Sequence, residues 1–321
     1  MLVHRDRIRR ALAVLGCSTP LAVLAGCPGP TSSATPSLAG PTFDAARAWK
    51  HLEAQVQIGP RPAGTPEAER TRAYLETQLS AAGLTPVREA FEQATPVGAL
   101  SFCNVYADLP ATGDASKAPL VLLVSHYDTK RMEFPFVGAN DGGSSTAVLL
   151  ELARVLKDDA PRSVSYRFLF VDGEEAVRAH WQDPDNRYGS KRHAEGLVKS
   201  GVSSRVKAAV LLDMVGDKEL RIHRDEYSAP WLYEAFAAAA RKNGLAKHVD
   251  GPRERIADDH LSFIEIGIPA VDLIDFEYGP GNSYWHSAQD TLEHCSQESL
   301  GIAGRIVLLG LPAIEAKLAP K

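Results

Sequence analysis

Between residues 43 and 318, short apolar runs alternate with stretches in which apolar residues recur every three or four positions. Leu120 to Val124, Tyr166 to Val171, Ala208 to Leu212 and Ala270 to Ile274 are almost wholly apolar and bounded by turn residues. This predicts central strands covered on both faces. Val148, Leu149, Leu152, Val155 and Leu156 fall on one face of a helix. Thr65 suits an N-cap, Pro66 a first turn and Gly83 a stop, which predicts a helix between them. Leu300 to Leu318 reads as a final helix. Strands alternating with helices predict a single α/β domain over residues 43–321, with a mostly parallel, mixed central sheet flanked by helices on both faces.

The N-terminal segment has another character. A basic start (His4, Arg5, Arg7, Arg9, Arg10) precedes an apolar stretch that ends in Leu24-Ala25-Gly26-Cys27. Residues 1–27 therefore read as a signal peptide. The final four residues resemble the lipobox of bacterial lipoproteins, which implies a lipidated Cys27. Residues 28–42, rich in Pro, Ser, Thr and Gly, read as a flexible tether. The expected location is the bacterial cell envelope, exported and held to a membrane only through the anchor.

Composition narrows the chemistry. A net charge of −5 gives no electrostatic reason for nucleic-acid binding. Of four cysteines only Cys103 and Cys295 lie in the body, either as a pair or as two core thiols. No CxxC is present, which argues against a thiolate zinc site.

Acidic residues and histidine recur at the ends of the predicted strands. The first run leads to His126-Tyr127-Asp128, the second to Asp172-Gly173-Glu174-Glu175, the third to Asp213. Ligand sites of open α/β sheets gather beyond the carboxyl ends of strands. Asp141 in Gly138-Ala139-Asn140-Asp141-Gly142-Gly143 precedes a helix, where turn and cap chemistry alone would account for it. His286, in Tyr284-Trp285-His286-Ser287, would by itself be a packed or surface histidine. The adjacent Glu174 and Glu175 are harder to dismiss. Two neighbouring carboxylates after a buried strand repel each other, and a cation bound by one relieves that repulsion. Together these groups form an N/O donor set that zinc accepts.

This order of residues, with the segment Gly59-Pro60-Arg61-Pro62-Ala63-Gly64, resembles the M28 zinc aminopeptidases and their relatives, the glutaminyl cyclases. Trp181 after Gly173-Glu174-Glu175-Ala176, with Asp258-Asp259-His260 and Trp285-His286, is similar to the cyclase branch. The resemblance implies one zinc held by Asp141, Glu175 and His286, and Glu174 as general base and acid. It also implies a carboxylate network of Asp213 and Asp258, and a substrate pocket lined by Trp181 and Trp285. The substrate would be a peptide or protein with N-terminal glutamine, cyclised to pyroglutamate with release of ammonia, and the enzyme a monomer. Asp272 stands where animal cyclases have a histidine, and the Asn140-Asp141-Gly142-Gly143-Ser144 loop is closer to aminopeptidase usage. The rival on the same scaffold is a two-zinc aminopeptidase, with His126 and Asp213 holding the second metal. The rival of another class is a lipid-anchored, non-catalytic peptide-binding protein.

Overall fold

The computed structural model of the protein describes residues 42–159 and 161–319. The predicted signal peptide, and the tether up to residue 41, lie outside the described residues. Helices α1 (Ala45–Ile58) and α2 (Pro66–Ala81) lead into a hairpin of β1 (Pro86–Thr95) and β2 (Gly98–Leu109). Then follow β3 (Leu120–His126), α3 (Ser145–Asp158), β4 (Ser165–Val171), α4 (Tyr188–Lys199) and β5 (Val206–Asp213). The short strands β6 (Arg224–Asp225) and β7 (Arg253–Glu254) bracket α5 (Pro230–Lys242), and α6 (His260–Ile264), β8 (Ala270–Ile274) and α7 (Gln297–Leu318) complete the chain.

The main sheet runs β1-β2-β4-β3-β5-β8. β4, β3, β5 and β8 are parallel, and the β1–β2 hairpin adds antiparallel to β4. The sheet is thus mixed and mostly parallel in its centre, as the apolar runs predict. Side chains alternate between its faces. Val121, Leu123, Phe168 and Val210 pack with Leu52, Leu75, Leu149, Phe236 and Ile306 of α1, α2, α3, α5 and α7. Leu122, Val124, Leu169 and Leu211 pack with Leu197 of α4 and Phe263 of α6.

All four predicted strands form, three of them one to three residues longer than the apolar runs. The Thr65 hydroxyl caps α2 by accepting from the Ala68 N–H at 3.2 Å. The final helix starts at Gln297, where the Ser296 side chain caps it. The hairpin escapes the sequence reading because β1 is half exposed and carries no continuous apolar run. Cys103 and Cys295 are buried and free, which settles their pairing as two core thiols.

The register builds the site. His126 lies opposite Val171, and Val124 lies opposite Leu211. The carboxyl ends of β3, β4 and β5 therefore finish side by side, with His126, the turn after Val171, and Asp213 on one edge.

Candidate metal centre and cavity

Two turns carry the central carboxylates, and each needs a glycine. Gly142 (φ 75°) follows Asp141, and a Cβ there would meet Asp128 O at 2.8 Å and the His126 ring at 2.9 Å. Gly173 (φ 73°) precedes Glu174, and a Cβ there would meet the Phe102 ring at 2.5 Å. Only glycine allows these close approaches at positive φ.

Asp128 clamps the second turn. Its carboxylate accepts from the N–H groups of Glu174 (3.1 Å) and Glu175 (3.3 Å). Asp290 does the same for the first, accepting from Asn140 N at 2.7 Å and Asp141 N at 3.1 Å. Burial, then the neighbouring Asp141, raises the Asp290 carboxyl to about 7.

Arg61 ties the two segments together. Its side chain is fully buried and donates to Tyr127 O (2.6 Å), Val137 O (2.6 Å) and Gly138 O (3.0 Å). It comes from the Gly59-Pro60-Arg61 segment, now seen as a strut beneath the Asp141 loop. Arg61→Met would leave two buried carbonyls and one half-buried carbonyl without their Arg61 donors, each worth about 1–3 kcal/mol. The expected loss is therefore about 3 kcal/mol or more of stability. A denaturant midpoint unchanged from wild type would refute the strut.

The structure brings Asp141, Glu175 and His286 together. His286 Nε2 lies 3.2 Å from Asp141 Oδ2 and 3.0 Å from Glu175 Oε1. A second group converges beside it. His126 Nε2 lies 3.3 Å from Asp141 Oδ1 and 3.1 Å from Asp213 Oδ1. In each group the potential ligand atoms lie within 4.8 Å of one another. Burial alone would raise the Asp141 carboxyl, but the adjacent His126 and His286 imidazoles overcome it and hold the group far below its usual range. Burial would lower His126, but Asp213, Asp128 and Asp141 outweigh it and raise the imidazole well above 6.5.

The first group suits a cation. A single imidazole N–H cannot donate to two carboxylates at full strength, and Asp141 Oδ2 is buried without a hydrogen-bond partner. Two carboxylate oxygens and one imidazole nitrogen, all converging, match the donors that zinc takes. His286 itself adopts φ 50°, and Met214, next to Asp213, adopts φ 48°. Each conformation costs a non-glycine residue about 1–3 kcal/mol, a strain that clusters at functional sites.

A cavity of about 140 Å³ opens on this centre. Asp141, Glu174, Asp213 and Asp258 line its polar side; Trp181, Trp285, Phe276 and Ile256 contribute much of its apolar wall. The Trp181 indole N–H donates to Glu174 Oε1 at 2.6 Å. Trp285 stacks on the His286 ring, with centroids 4.0 Å apart. Burial, then the charge of Glu175, pushes the Glu174 carboxyl well above its ordinary value. Burial, then Asp213 and Asp259, raises Asp258 likewise.

Asp213 and Asp258 share this cavity wall, but among the described residues no hydrogen bond joins them directly. Asp213 Oδ1 is engaged by His126 and by Met214 N (2.7 Å), while Asp258 Oδ2 has no partner. Behind them Asp272 is fully buried. Its Oδ2 lies 3.8 Å from His260 Nδ1, and His260 Nε2 lies 3.2 Å from Asp225.

Sequence reasoning did not single out Lys130, Asp290, Met214, Ile256 or Phe276. Asp290, four residues after His286, carried no signal beyond its charge. The apolar liners are ordinary core types until the fold aims them at the cavity.

The sequence profile of peptidase family M28 matches residues 104–310. A glutaminyl-peptide cyclotransferase-like protein of Bos taurus is 31% identical over 279 residues, covering 78% of this chain and 70% of that protein. The crystal structure of an Acidobacteriales bacterium glutaminyl cyclase aligns with TM-score 0.82 and 32% identity, over 89% of this chain and 99% of that one. The Porphyromonas gingivalis glutaminyl cyclase aligns with TM-score 0.76 and 27% identity, over 85% and 99%.

Proposed function

The chain belongs to peptidase family M28 and, within it, to the glutaminyl-peptide cyclotransferases, and from this we propose that it cyclises N-terminal glutamine of peptides or proteins to pyroglutamate, releasing ammonia. The observation that carries this reading is Glu174, paired with the Trp181 indole inside a small cavity beside the Asp141, Glu175 and His286 group. A zinc ion held by those three residues would polarise the γ-amide carbonyl and stabilise the developing oxyanion.

The rest falls to the side chains. The substrate's α-amine attacks its own side-chain amide carbon, so the nucleophile is supplied intramolecularly. Glu174 takes a proton from the amine and delivers one to the departing ammonia. Asp213 and Asp258 accept hydrogen bonds from the substrate's nitrogens. Trp181 and Trp285 cover the aliphatic carbons and exclude water, which would divert the reaction to hydrolysis.

A two-metal aminopeptidase is the second reading, kept by the convergence of His126, Asp141 and Asp213. Zinc-loaded protein incubated with glutaminyl and leucyl peptides, followed by mass spectrometry, separates the two. The expected result is loss of one ammonia from the glutaminyl peptide with every peptide bond intact, at about one zinc per chain. Release of a free amino acid at two zinc ions per chain would establish the aminopeptidase. Peptide retention without any product would leave a binding protein.

Export and lipid anchoring through Cys27 belong to the same proposal, on the strength of Leu24-Ala25-Gly26-Cys27. Cys27→Ser is expected to abolish metabolic labelling by a fatty-acid probe; retained labelling would refute the lipobox.

A further inference from the structure

We propose that Lys130 is a positioning residue that assigns the two adjacent glutamates their different tasks, by holding the outer oxygen of Glu175. The inference rests on the metal site proposed above. Lys130 Nζ lies 3.2 Å from Glu175 Oε2 and 3.1 Å from Ala176 O. The other oxygen of Glu175, Oε1, faces His286 Nε2 at 3.0 Å. Lysine and glutamate side chains are each 3% exposed.

Stability alone gives little reason for such a pair. Desolvating two charges offsets most of their attraction, and a well-packed apolar side chain serves a fold as well or better. What the pair supplies is direction. A single short segment, residues 128–130, grips the Gly173–Ala176 turn from below. Asp128 takes the N–H groups of Glu174 and Glu175, while Lys130 takes the Ala176 carbonyl and the Glu175 carboxylate. The two side chains then diverge: Glu174 turns to the Trp181 indole in the cavity, and Glu175 turns to Lys130 and His286.

With its outer oxygen occupied, Glu175 offers one oxygen to the ligand group and cannot swing into the place of Glu174. Without the ammonium, Glu175 is free to present both oxygens or to rotate away. Groups that orient metal ligands in this manner change metal affinity about 10–100-fold when removed.

The test uses cobalt(II), whose visible absorption reports coordination number, on the whole mature protein. Wild type, Lys130→Met and Lys130→Arg are titrated with the metal alone. In Lys130→Met the cobalt dissociation constant is expected to rise about 10–100-fold, and the absorption bands to change in intensity and position. Lys130→Arg, which keeps a cationic donor, restores most of the wild-type spectrum. A Lys130→Met protein with wild-type spectrum and affinity overturns the role of Lys130 and leaves the metal site standing. A wild-type protein that binds no cobalt overturns both. If Lys130→Met does not fold, Lys130→Gln carries the same comparison with the same two outcomes.

Discussion

Glu174→Gln is expected to lower kcat about 10²–10⁴-fold, the usual worth of a positioned proton-transfer group, while leaving bound zinc near the wild-type level. Glutamine keeps an oxygen that can accept from the Trp181 indole, so the cavity wall has no reason to move. It also keeps the backbone N–H that donates to Asp128. What it loses is the ability to carry a proton. In the proposed reaction Glu174 makes both transfers, one from the attacking amine and one to the leaving ammonia. KM should therefore change little. Steady-state turnover and metal analysis on one preparation decide the matter. Turnover within tenfold of wild type at full zinc content would remove Glu174 from its role.

His286→Ala should fail differently, by losing the metal. The imidazole nitrogen is the sole nitrogen donor of the group, 3.2 Å from Asp141 and 3.0 Å from Glu175. Without it two buried carboxylates face each other with one ligand fewer to offer. Removal of an orienting neighbour already weakens metal binding about 10–100-fold, and loss of a direct ligand should exceed that. Glu175→Gln should act in the same direction. Activity in both should fall with zinc content and recover in part when zinc is raised, whereas Glu174→Gln should show no such recovery. Full zinc occupancy in both His286→Ala and Glu175→Gln would sink the ligand assignment.

Much of this architecture was legible in the chain. Leu120–Val124 and Ala208–Leu212 are apolar because strands in the middle of a parallel sheet meet helices on both faces. That requirement is local enough to read without coordinates. The Glu174-Glu175 pair was legible for a related reason: adjacent carboxylates after a buried strand need a cation or a proton. Trp181 and Trp285, by contrast, were ordinary core types by composition and gained their pocket role only from family resemblance. The β1–β2 hairpin was not legible, since a half-exposed edge strand has no strong apolar period to detect.

By itself, then, the sequence determined the strand core, the glycine turns and which residue types could bind a metal, because each depends on neighbours close along the chain. The tertiary structure alone decided which carboxylates meet. His286 reaches Asp141 and Glu175 from 145 and 111 positions away (286 − 141 and 286 − 175) through register and loop packing. Arg61 and Lys130 acquired their roles in the same way. A buried guanidinium or ammonium is tolerated only where distant carbonyls and carboxylates are already fixed to receive it, and that arrangement exists only once the chain has folded.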